Sequence, residues 1–346
     1  VWLLQQSGIF YFYTMILHWQ IVQLQLKETF AIAYGNYTFR EALIVSLQSH
    51  GEKGYGECTA IDYYGINLND FQAILNRLQS VIEKQSIVHP TEFYTFLLTL
   101  ELPSFLRSAL DCAYWDLFGK LERRGFLTLN QIDFQQLPES SITISVDSID
   151  KQLQKIAQSD WRYFKVKCNH FNESDIRKLS ESNLNIALDS NGSFTAQDCL
   201  WLENYPEVAN FTYLEQPMKK GAEQYSNLHS DTLANWMADE DCQTSADLKK
   251  LLPHYQSINI KLVKCGGLTP ALAMIAEARK LGFKIMIGCM TESTIGISAG
   301  AVLAPLCDYA DLDGANLIAN DIAKGSLIVN GNIQLTENPG LGIKII

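Results

Sequence analysis

The chain has 346 residues, of which 47% are hydrophobic and 19% charged, so it can build a sizeable core and is not a disordered, collagen-like or coiled-coil sequence. Acidic residues outnumber basic ones by 38 to 27, which argues against nucleic acid as the main partner. The eight cysteines form no CxxC pair, which disfavours ribbon-type zinc sites and indicates free thiols in a reducing, cytoplasmic compartment.

The first 14 residues, 1–14, are expected to be an extension outside the fold. The apolar run at residues 9–17 is too short to span a bilayer. No Lys or Arg precedes Lys27, and no small-residue cleavage site follows the run. We therefore expect neither membrane attachment nor a signal peptide, and a cleaved leader is the alternative.

Residues 15–135 are predicted to form an α+β domain, because a run of strands precedes a run of helices. Apolar and polar residues alternate over residues 22–27, which is typical of a half-buried strand, and residues 50–54 have the composition of a hairpin connection. Helices are predicted over residues 68–84 and 104–124. Their expected N-terminal caps are Asn69 or Asp70 for the first helix and Ser104 for the second.

From residue 136 to residue 324, apolar runs alternate with helical stretches. Eight strands are predicted, over residues 142–146, 163–168, 184–189, 211–215, 235–239, 257–261, 283–288 and 309–313. Polar residues at their C-terminal ends recur every 22 to 28 residues, the length of one strand plus one helix. Eight such units predict an α/β fold, a (β/α)₈ TIM-type barrel. A doubly wound open sheet is the alternative, but the sequence lacks its Gly-rich dinucleotide turn. Residues 325–346 are expected to return to the first domain.

Three of the predicted strand ends carry acids, namely Asp189, Glu215 and Asp239. Because catalytic groups lie at the C-terminal ends of barrel strands, these carboxylates would converge and repel one another unless a cation compensates. Oxygen ligands without His or Cys favour Mg²⁺ over Zn²⁺. Asn191 and Glu240 can serve the outer shell; the alternative is that Glu240 rather than Asp239 faces the ion, which one residue of register decides.

Lysines end two other predicted strands. Lys165 and Lys167 point to the same face of the second strand, and Lys261 ends the sixth strand, on the opposite side of an eight-stranded barrel. Two facing lysines around an acid-bound metal predict that Lys167 and Lys261 are catalytic. One would remove a proton from carbon while the other delivers a proton to the opposite face.

These motifs, in this order, resemble the enolase superfamily and its muconate lactonizing enzyme subgroup. The resemblance rests on KVK at residues 165–167, on the acids in LDSN, LEQP and ADED, and on INIKLVKCGG around Lys261. It covers residues 16–346. It implies that the N-terminal α+β region and the C-terminal tail together form a capping domain over the barrel, and that the cofactor is Mg²⁺.

Two further motifs are similar to those of dipeptide epimerases in that subgroup. GCMTES at residues 288–293 resembles their GxMxE stretch, and DLD at residues 311–313 resembles their DxD motif. The resemblance implies that Asp311 and Asp313 bind the substrate ammonium group. The other implied substrate-binding residues are Thr143, Lys165, Cys289 and Met290. The implied reaction is epimerisation of a dipeptide at the α-carbon of its C-terminal residue, by two-base 1,1-proton transfer through an enediolate.

The capping loops bear on the choice of side chain. Alanine–glutamate epimerases of the family carry an arginine in the first loop, where our alignment places Tyr34 or Gly35. The second loop contributes Ile61 and Tyr63, so the lining is expected to suit small or apolar side chains better than glutamate. The alternatives are an o-succinylbenzoate synthase or a cycloisomerase of the same subgroup and, outside catalysis, a metal- and ligand-binding barrel. A homo-oligomer is compatible with the sequence.

Overall fold

The described part of the chain comprises residues 15–32 and 35–346 of a computed structural model. The predicted extension of residues 1–14 and the loop residue Tyr34 lie outside the described residues. Within these ranges, no helix is both long and apolar enough to cross a bilayer.

An antiparallel sheet of three strands opens the fold. Its strands are β1 (Ile16–Ile32), β2 (Gly35–Ser49) and β3 (Glu52–Thr59), in sequential order. A register shift between Gln25 and Phe30 marks a bulge in β1. The predicted hairpin is confirmed, but its turn is only His50 and Gly51, which both have positive φ angles of 51° and 84°.

Four helices follow this sheet: α1 (Leu68–Glu83), α2 (Pro90–Leu98), α3 (Ser104–Leu121) and α4 (Phe126–Leu129). The predicted caps were wrong. Asn67 caps α1 by accepting a hydrogen bond from the backbone of Asn69 at 3.0 Å, so Asn69 and Asp70 lie inside the first turn. Ser104 is likewise the first helical residue of α3, because Pro103 occupies the cap position. Helix α2 was not predicted.

Eight parallel strands form the second sheet, in sequential order, and the predicted (β/α)₈ barrel is confirmed. They are β4 (Ile142–Ile144), β5 (Tyr163–Lys167), β6 (Asn185–Asp189), β7 (Leu214–Glu215), β8 (Trp236–Ala238), β9 (Ser257–Ile260), β10 (Lys284–Gly288) and β11 (Tyr309–Asp311). The first and last strands approach each other beside a bridge between Ser140 and Ala310, where Ser141 N donates to Ala310 O at 3.0 Å. The sheet is therefore nearly closed.

Helices surround the barrel, and α3 lies between it and the capping sheet. The remaining helices are α5 (Ile149–Ala157), α6 (Glu173–Ser180), α7 (Ala196–Glu203), α8 (Ala222–Tyr225), α9 (Leu248–Leu251), α10 (Leu262–Cys265), α11 (Leu268–Leu281) and α12 (Thr294–Ala301). Glycines let β3 approach α3 closely, since a Cβ on Gly56 would lie 2.0 Å from the carbonyl oxygen of Ala109.

The C-terminal tail contacts α3. Its short strands are β13 (Leu327–Val329), β14 (Asn332–Gln334) and β15 (Lys344–Ile345), and β15 pairs with β12 (Ala323–Lys324), which directly precedes the tail. Leu341 N donates to Asp116 Oδ1 at 2.8 Å, and Lys120 Nζ donates to Ile343 O at 2.8 Å. The tail thus supplies hydrogen-bonding groups to the helix beneath the capping sheet.

Two buried carboxylates, Glu57 and Asp111, join the capping region to the barrel. Glu57 on β3 accepts from Ser293 N at 3.0 Å, from Ser293 Oγ at 2.5 Å and from Gly296 N at 3.1 Å, at the start of α12. Asp111 on α3 accepts from the backbone N and the hydroxyl of Thr269 at 2.8 Å each. These two residues are called the interface carboxylates below.

Candidate active site

A cleft of about 660 Å³ lies between the barrel mouth and the capping region. Most of the predicted site residues line it: Ile61, Tyr63, Thr143, Lys165, Lys167, Asp239, Lys261, Cys289, Met290, Asp311 and Asp313. Asp189 and Glu215 are buried at the mouth without lining the cleft, and Gly35 does not line it either. Side chains that were selected from the strand ends, and that are far apart in sequence, therefore lie close together in the structure.

Strand register places the acids side by side. Lys167 is aligned with Asp189 across β5 and β6, and Asp189 with Glu215 across β6 and β7. Asp239 follows directly after β8, and all of these acids are almost fully buried. Neighbouring parallel strands that end at the same level therefore present carboxylates at one edge of the sheet.

Lysines pair with these acids. Lys167 forms an ion pair with Asp189, and Lys261 Nζ lies 2.8 Å from Asp239 Oδ2. Burial raises the pKa of Asp239, but its two lysine partners, Lys261 and Lys264, outweigh burial and hold that pKa well below its usual range. Burial lowers the pKa of Lys261, yet Asp239 and Glu215 raise it well above its ordinary value.

Glu215 differs from its neighbours. Burial raises its pKa, Lys165 opposes this effect, and the charges of Asp189 and Asp239 add to it. Its Oε1 accepts from Asn259 Nδ2 at 2.6 Å, whereas its Oε2 makes no hydrogen bond to any described residue, with Lys165 Nζ 3.4 Å away. Among the described residues, Glu215 Oε2 is therefore a buried carboxylate oxygen with an ion-pair partner but no hydrogen bond.

The oxygen-rich mouth suits a hard divalent cation. In the part of the chain that the structure describes, no three Asp, Glu, His or Cys side chains converge into a formed metal site, and the three acids bind lysines instead. The donor set nevertheless fits Mg²⁺, because Asp189, Glu215 and Asp239 supply only oxygen atoms and Glu215 Oε2 makes no hydrogen bond within the described ranges. A cation there would also relieve the repulsion among the acids.

Glu240 is buried beside this set and also lines the cleft. Burial and the charges of Asp239 and Asp189 raise its pKa, and it accepts from Asn191 Nδ2 at 3.4 Å. Asn191 in turn accepts from Lys167 Nζ at 3.1 Å. Asn191 thus connects Glu240 to Lys167, and both Asn191 and Glu240 line the cleft; their service in the outer shell of a metal stays a prediction.

The two lysines predicted to be catalytic approach the cleft from different sides. Lys167 ends β5, the second strand of the barrel, and Lys261 follows β9, the sixth strand. Both line the same cleft. A ligand between them would therefore present opposite faces to two ammonium or amine groups.

Asp311 and Asp313 lie on the same side as β4. Asp311 forms an ion pair with Lys165 and accepts from Ser141 Oγ at 2.8 Å. Asp313 Oδ2 accepts from the backbone N–H of Thr143 at 2.6 Å. Burial and the charge of Asp311 raise the pKa of Asp313 to about 6. The pair therefore carries excess negative charge that a cationic ligand would stabilise.

Sequence reasoning missed several residues of the site. Lys264 Nζ contacts Asp239 O and Asp239 Oδ1 at 2.6 Å each, although it stands only three residues after Lys261. Arg40 lines the cleft, together with four other residues that were not predicted to do so: Phe30, Tyr64, Thr291 and Leu317. Alternation along β2 was a usable signal, since Arg40 shares a face with the buried residues Ala42 and Ile44.

This chain is similar to known proteins over most of its length. The family model for enolase C-terminal domain-like proteins matches residues 148–346. An L-Ala-D/L-amino acid epimerase of Flavobacterium johnsoniae is 36% identical over 93% of this chain and 97% of its own length. An L-Ala-D/L-Glu epimerase of Bacteroides thetaiotaomicron is 31% identical over 93% of this chain and 85% of its own.

Among solved structures, a dipeptide epimerase of Methylococcus capsulatus, complexed with Mg and the dipeptide L-Arg-D-Lys, is 25% identical to this chain. It superposes with a TM-score of 0.84, over 95% of this chain and 99% of its own.

Proposed function

Because this chain belongs to the enolase C-terminal domain-like family, we propose that it is a Mg²⁺-dependent dipeptide epimerase. The observation that carries the proposal is the cleft in which Lys167 and Lys261 stand on opposite strands of the barrel, beside buried acids and the Asp311–Asp313 pair. The names of the relatives and the dipeptide bound to the Methylococcus capsulatus enzyme support it.

The cleft offers a place for each charged end of a dipeptide. The substrate ammonium group binds Asp311 and Asp313, whose carboxylates face the cleft beside Thr143. The substrate carboxylate lies toward the acids of the mouth and Lys165. Cys289 and Met290 line the same cleft and contact the peptide between these ends.

Lys167 and Lys261 carry out the proton transfer. Asp189, Glu215 and Asp239 would hold Mg²⁺, which supplies positive charge to the substrate carboxylate when it is bound. One of Lys167 and Lys261 takes the α-proton of the C-terminal residue, which leaves an enediolate. The other lysine returns a proton to the opposite face, and the configuration at that carbon is inverted.

We further propose that small or apolar side chains are preferred over glutamate. Phe30, Ile61 and Tyr63 give this end of the cleft an apolar and aromatic wall. A buried alkyl side chain gains about 0.8 kcal/mol per methylene, whereas a desolvated and unpaired polar group costs about 1–3 kcal/mol. The Flavobacterium johnsoniae relative, named for amino acids in general, supports a pocket that is not built for glutamate alone.

A library of dipeptides in D₂O, followed by mass spectrometry and chiral separation, tests the proposal. We expect one solvent deuterium at the α-carbon of the C-terminal residue and the appearance of the second epimer. An o-succinylbenzoate synthase or a cycloisomerase would leave every dipeptide unlabelled while converting its own substrate. A metal- and ligand-binding barrel would bind dipeptides and exchange none of their protons.

A further inference from the structure

Arg40 is a buried cation beside the proposed substrate. Its relative exposure is 6%, it lines the cleft, and its Nε makes no hydrogen bond to any described residue. Burial lowers the pKa of its guanidinium, and the neighbouring Tyr37 and Asp62 partly offset this effect. A desolvated guanidinium of this kind attracts an oxygen of a ligand side chain.

Tyr37 contacts this guanidinium, and Asp62 in turn contacts Tyr37. The Arg40 Cζ atom lies 3.5 Å from the centroid of the Tyr37 ring, in a cation–π contact. The Tyr37 hydroxyl donates to Asp62 Oδ2 at 3.1 Å. Donation to a carboxylate makes the ring face more electron-rich, which strengthens its attraction for the cation.

The chain Asp62–Tyr37–Arg40 connects the two capping loops. Tyr37 and Arg40 lie on β2, just after the first loop, whereas Asp62 begins the short 3-10 helix Asp62–Tyr64 of the second loop. That helix forms part of the cleft wall, because its residues Tyr63 and Tyr64 line the same cavity as Arg40. The charge of Arg40 is therefore opposed by an acid from the other loop.

We propose that Asp62, acting through Tyr37, is a specificity-determining residue that balances the charge of Arg40 and so excludes acidic side chains from the cleft. This inference rests on the proposed dipeptide epimerase function. A glutamate side chain would bring a second negative charge into the field of Asp62, whereas the isosteric glutamine would not. With Asp62 neutralised, Arg40 becomes a receptor for a carboxylate.

The test compares two substrates that differ in charge alone, Ala-Glu and Ala-Gln. Asp62→Asn removes the charge but keeps an oxygen that accepts from the Tyr37 hydroxyl. We expect the ratio of kcat/KM for Ala-Glu over Ala-Gln to rise at least about threefold, because the opposing charge is exposed and partly screened. Asp70→Asn, which removes an exposed acid of α1, should leave that ratio unchanged.

A second pair of variants keeps the test decisive. In an Arg40→Met background, Asp62→Asn should produce no gain for Ala-Glu, since its effect requires the guanidinium. A gain that persists without Arg40, or a ratio in Asp62→Asn equal to that in Asp70→Asn, would overturn the inference. If the enzyme epimerises no dipeptide, the proposed function fails, and the same ratios taken from calorimetric binding constants with Mg²⁺ still decide the role of Asp62.

Discussion

Two sets of buried carboxylates in this molecule differ in their partners. The interface carboxylates Glu57 and Asp111 accept hydrogen bonds from backbone N–H and hydroxyl groups. The carboxylates of the barrel mouth, among them Asp189, Asp239 and Asp311, are paired with lysine ammonium groups. Both sets are nearly inaccessible to water.

The difference lies in what the partners can do. A backbone N–H at the start of a helix is fixed in place and has no acceptor within its own helix. Its hydrogen bond to an interface carboxylate therefore holds the capping region rigidly against the barrel. A lysine ammonium group sits on four rotatable bonds and can exchange one acid for another, for a metal-bound ligand or for a proton. The first arrangement gives rigidity, and the second gives exchangeable charge where chemistry takes place.

The largest expected effect is the loss of activity at the barrel mouth when divalent cations are removed. The contacts of the interface carboxylates should not change. Treatment with EDTA should abolish epimerisation and Mg²⁺ should restore it, because Mg²⁺ held by Asp189, Glu215 and Asp239 would supply positive charge to the substrate carboxylate. A structure with Mg²⁺ should show Asp189, Glu215 and Asp239 each with an oxygen at about 2.0–2.4 Å from the ion. Full activity without a divalent cation would contradict the assignment.

Replacement of one catalytic lysine should be nearly as severe. Lys167→Ala or Lys261→Ala should reduce epimerisation by at least about 10²–10⁴-fold, because each direction needs both a base and an acid. Each variant should still exchange the α-proton of one epimer in D₂O. Lys250→Ala, at an exposed position of α9, is the matched control and should keep full activity.

Loss of an interface carboxylate should lower the stability of the folded protein. Glu57→Ala leaves Ser293 N, Ser293 Oγ and Gly296 N without their acceptor, so the free energy of unfolding should fall by about 3 kcal/mol. Urea titration measures this loss, and Glu52→Ala, an exposed change on the same strand, should cost far less. An equal loss in both variants would show that the contacts of Glu57 with α12 do not stabilise the molecule.

The C-terminal side chain of the dipeptide should have a moderate effect on kcat/KM. We expect kcat/KM for dipeptides that end in Ala or Val to exceed that for Ala-Glu by at least roughly tenfold, about 1.4 kcal/mol. Initial rates with matched dipeptides measure this ratio. The reverse order would mean that Arg40 already binds carboxylates despite Asp62.

The smallest effect concerns pH. Burial raises the pKa of Asp111 to about 7, although its hydrogen bonds to Thr269 oppose the shift. The folded state therefore holds this proton up to a higher pH than the unfolded state, and stability is lost as pH rises from about 4 toward about 7. The stability of the wild type relative to Asp111→Asn should fall by at least about 1 kcal/mol over that range, measured by urea titration at each pH. A constant difference would show that Asp111 does not titrate there.

The barrel was predictable because strand-plus-helix units recur at a regular spacing and most of the strands end in an ionisable residue. The acids and lysines of the mouth were predictable for the same reason. Arg40 was not among the predicted site residues because it stands in the capping sheet, on a face that meets the barrel only after folding. Lys264 was missed because its contact with Asp239 depends on the one-turn helix α10, which has no periodic signature.

Local details were less predictable than the overall architecture. The cap of α1 falls on Asn67 rather than on its neighbours, since several residues in that stretch can accept a hydrogen bond and only the path of the chain selects one. Helix α2 begins at Pro90 and has nine residues, too few to show a clear apolar period.

The contacts of the tail with α3 have a consequence for biosynthesis. Asp116 is buried in α3, and one of its oxygens accepts from Leu341 N. More than two hundred residues separate the two partners, so α3 emerges from the ribosome long before Leu341 is made. We expect nascent chains that lack residues 341–343 to hold α3 in a loosely packed state, open to chaperones, until these residues have left the ribosome.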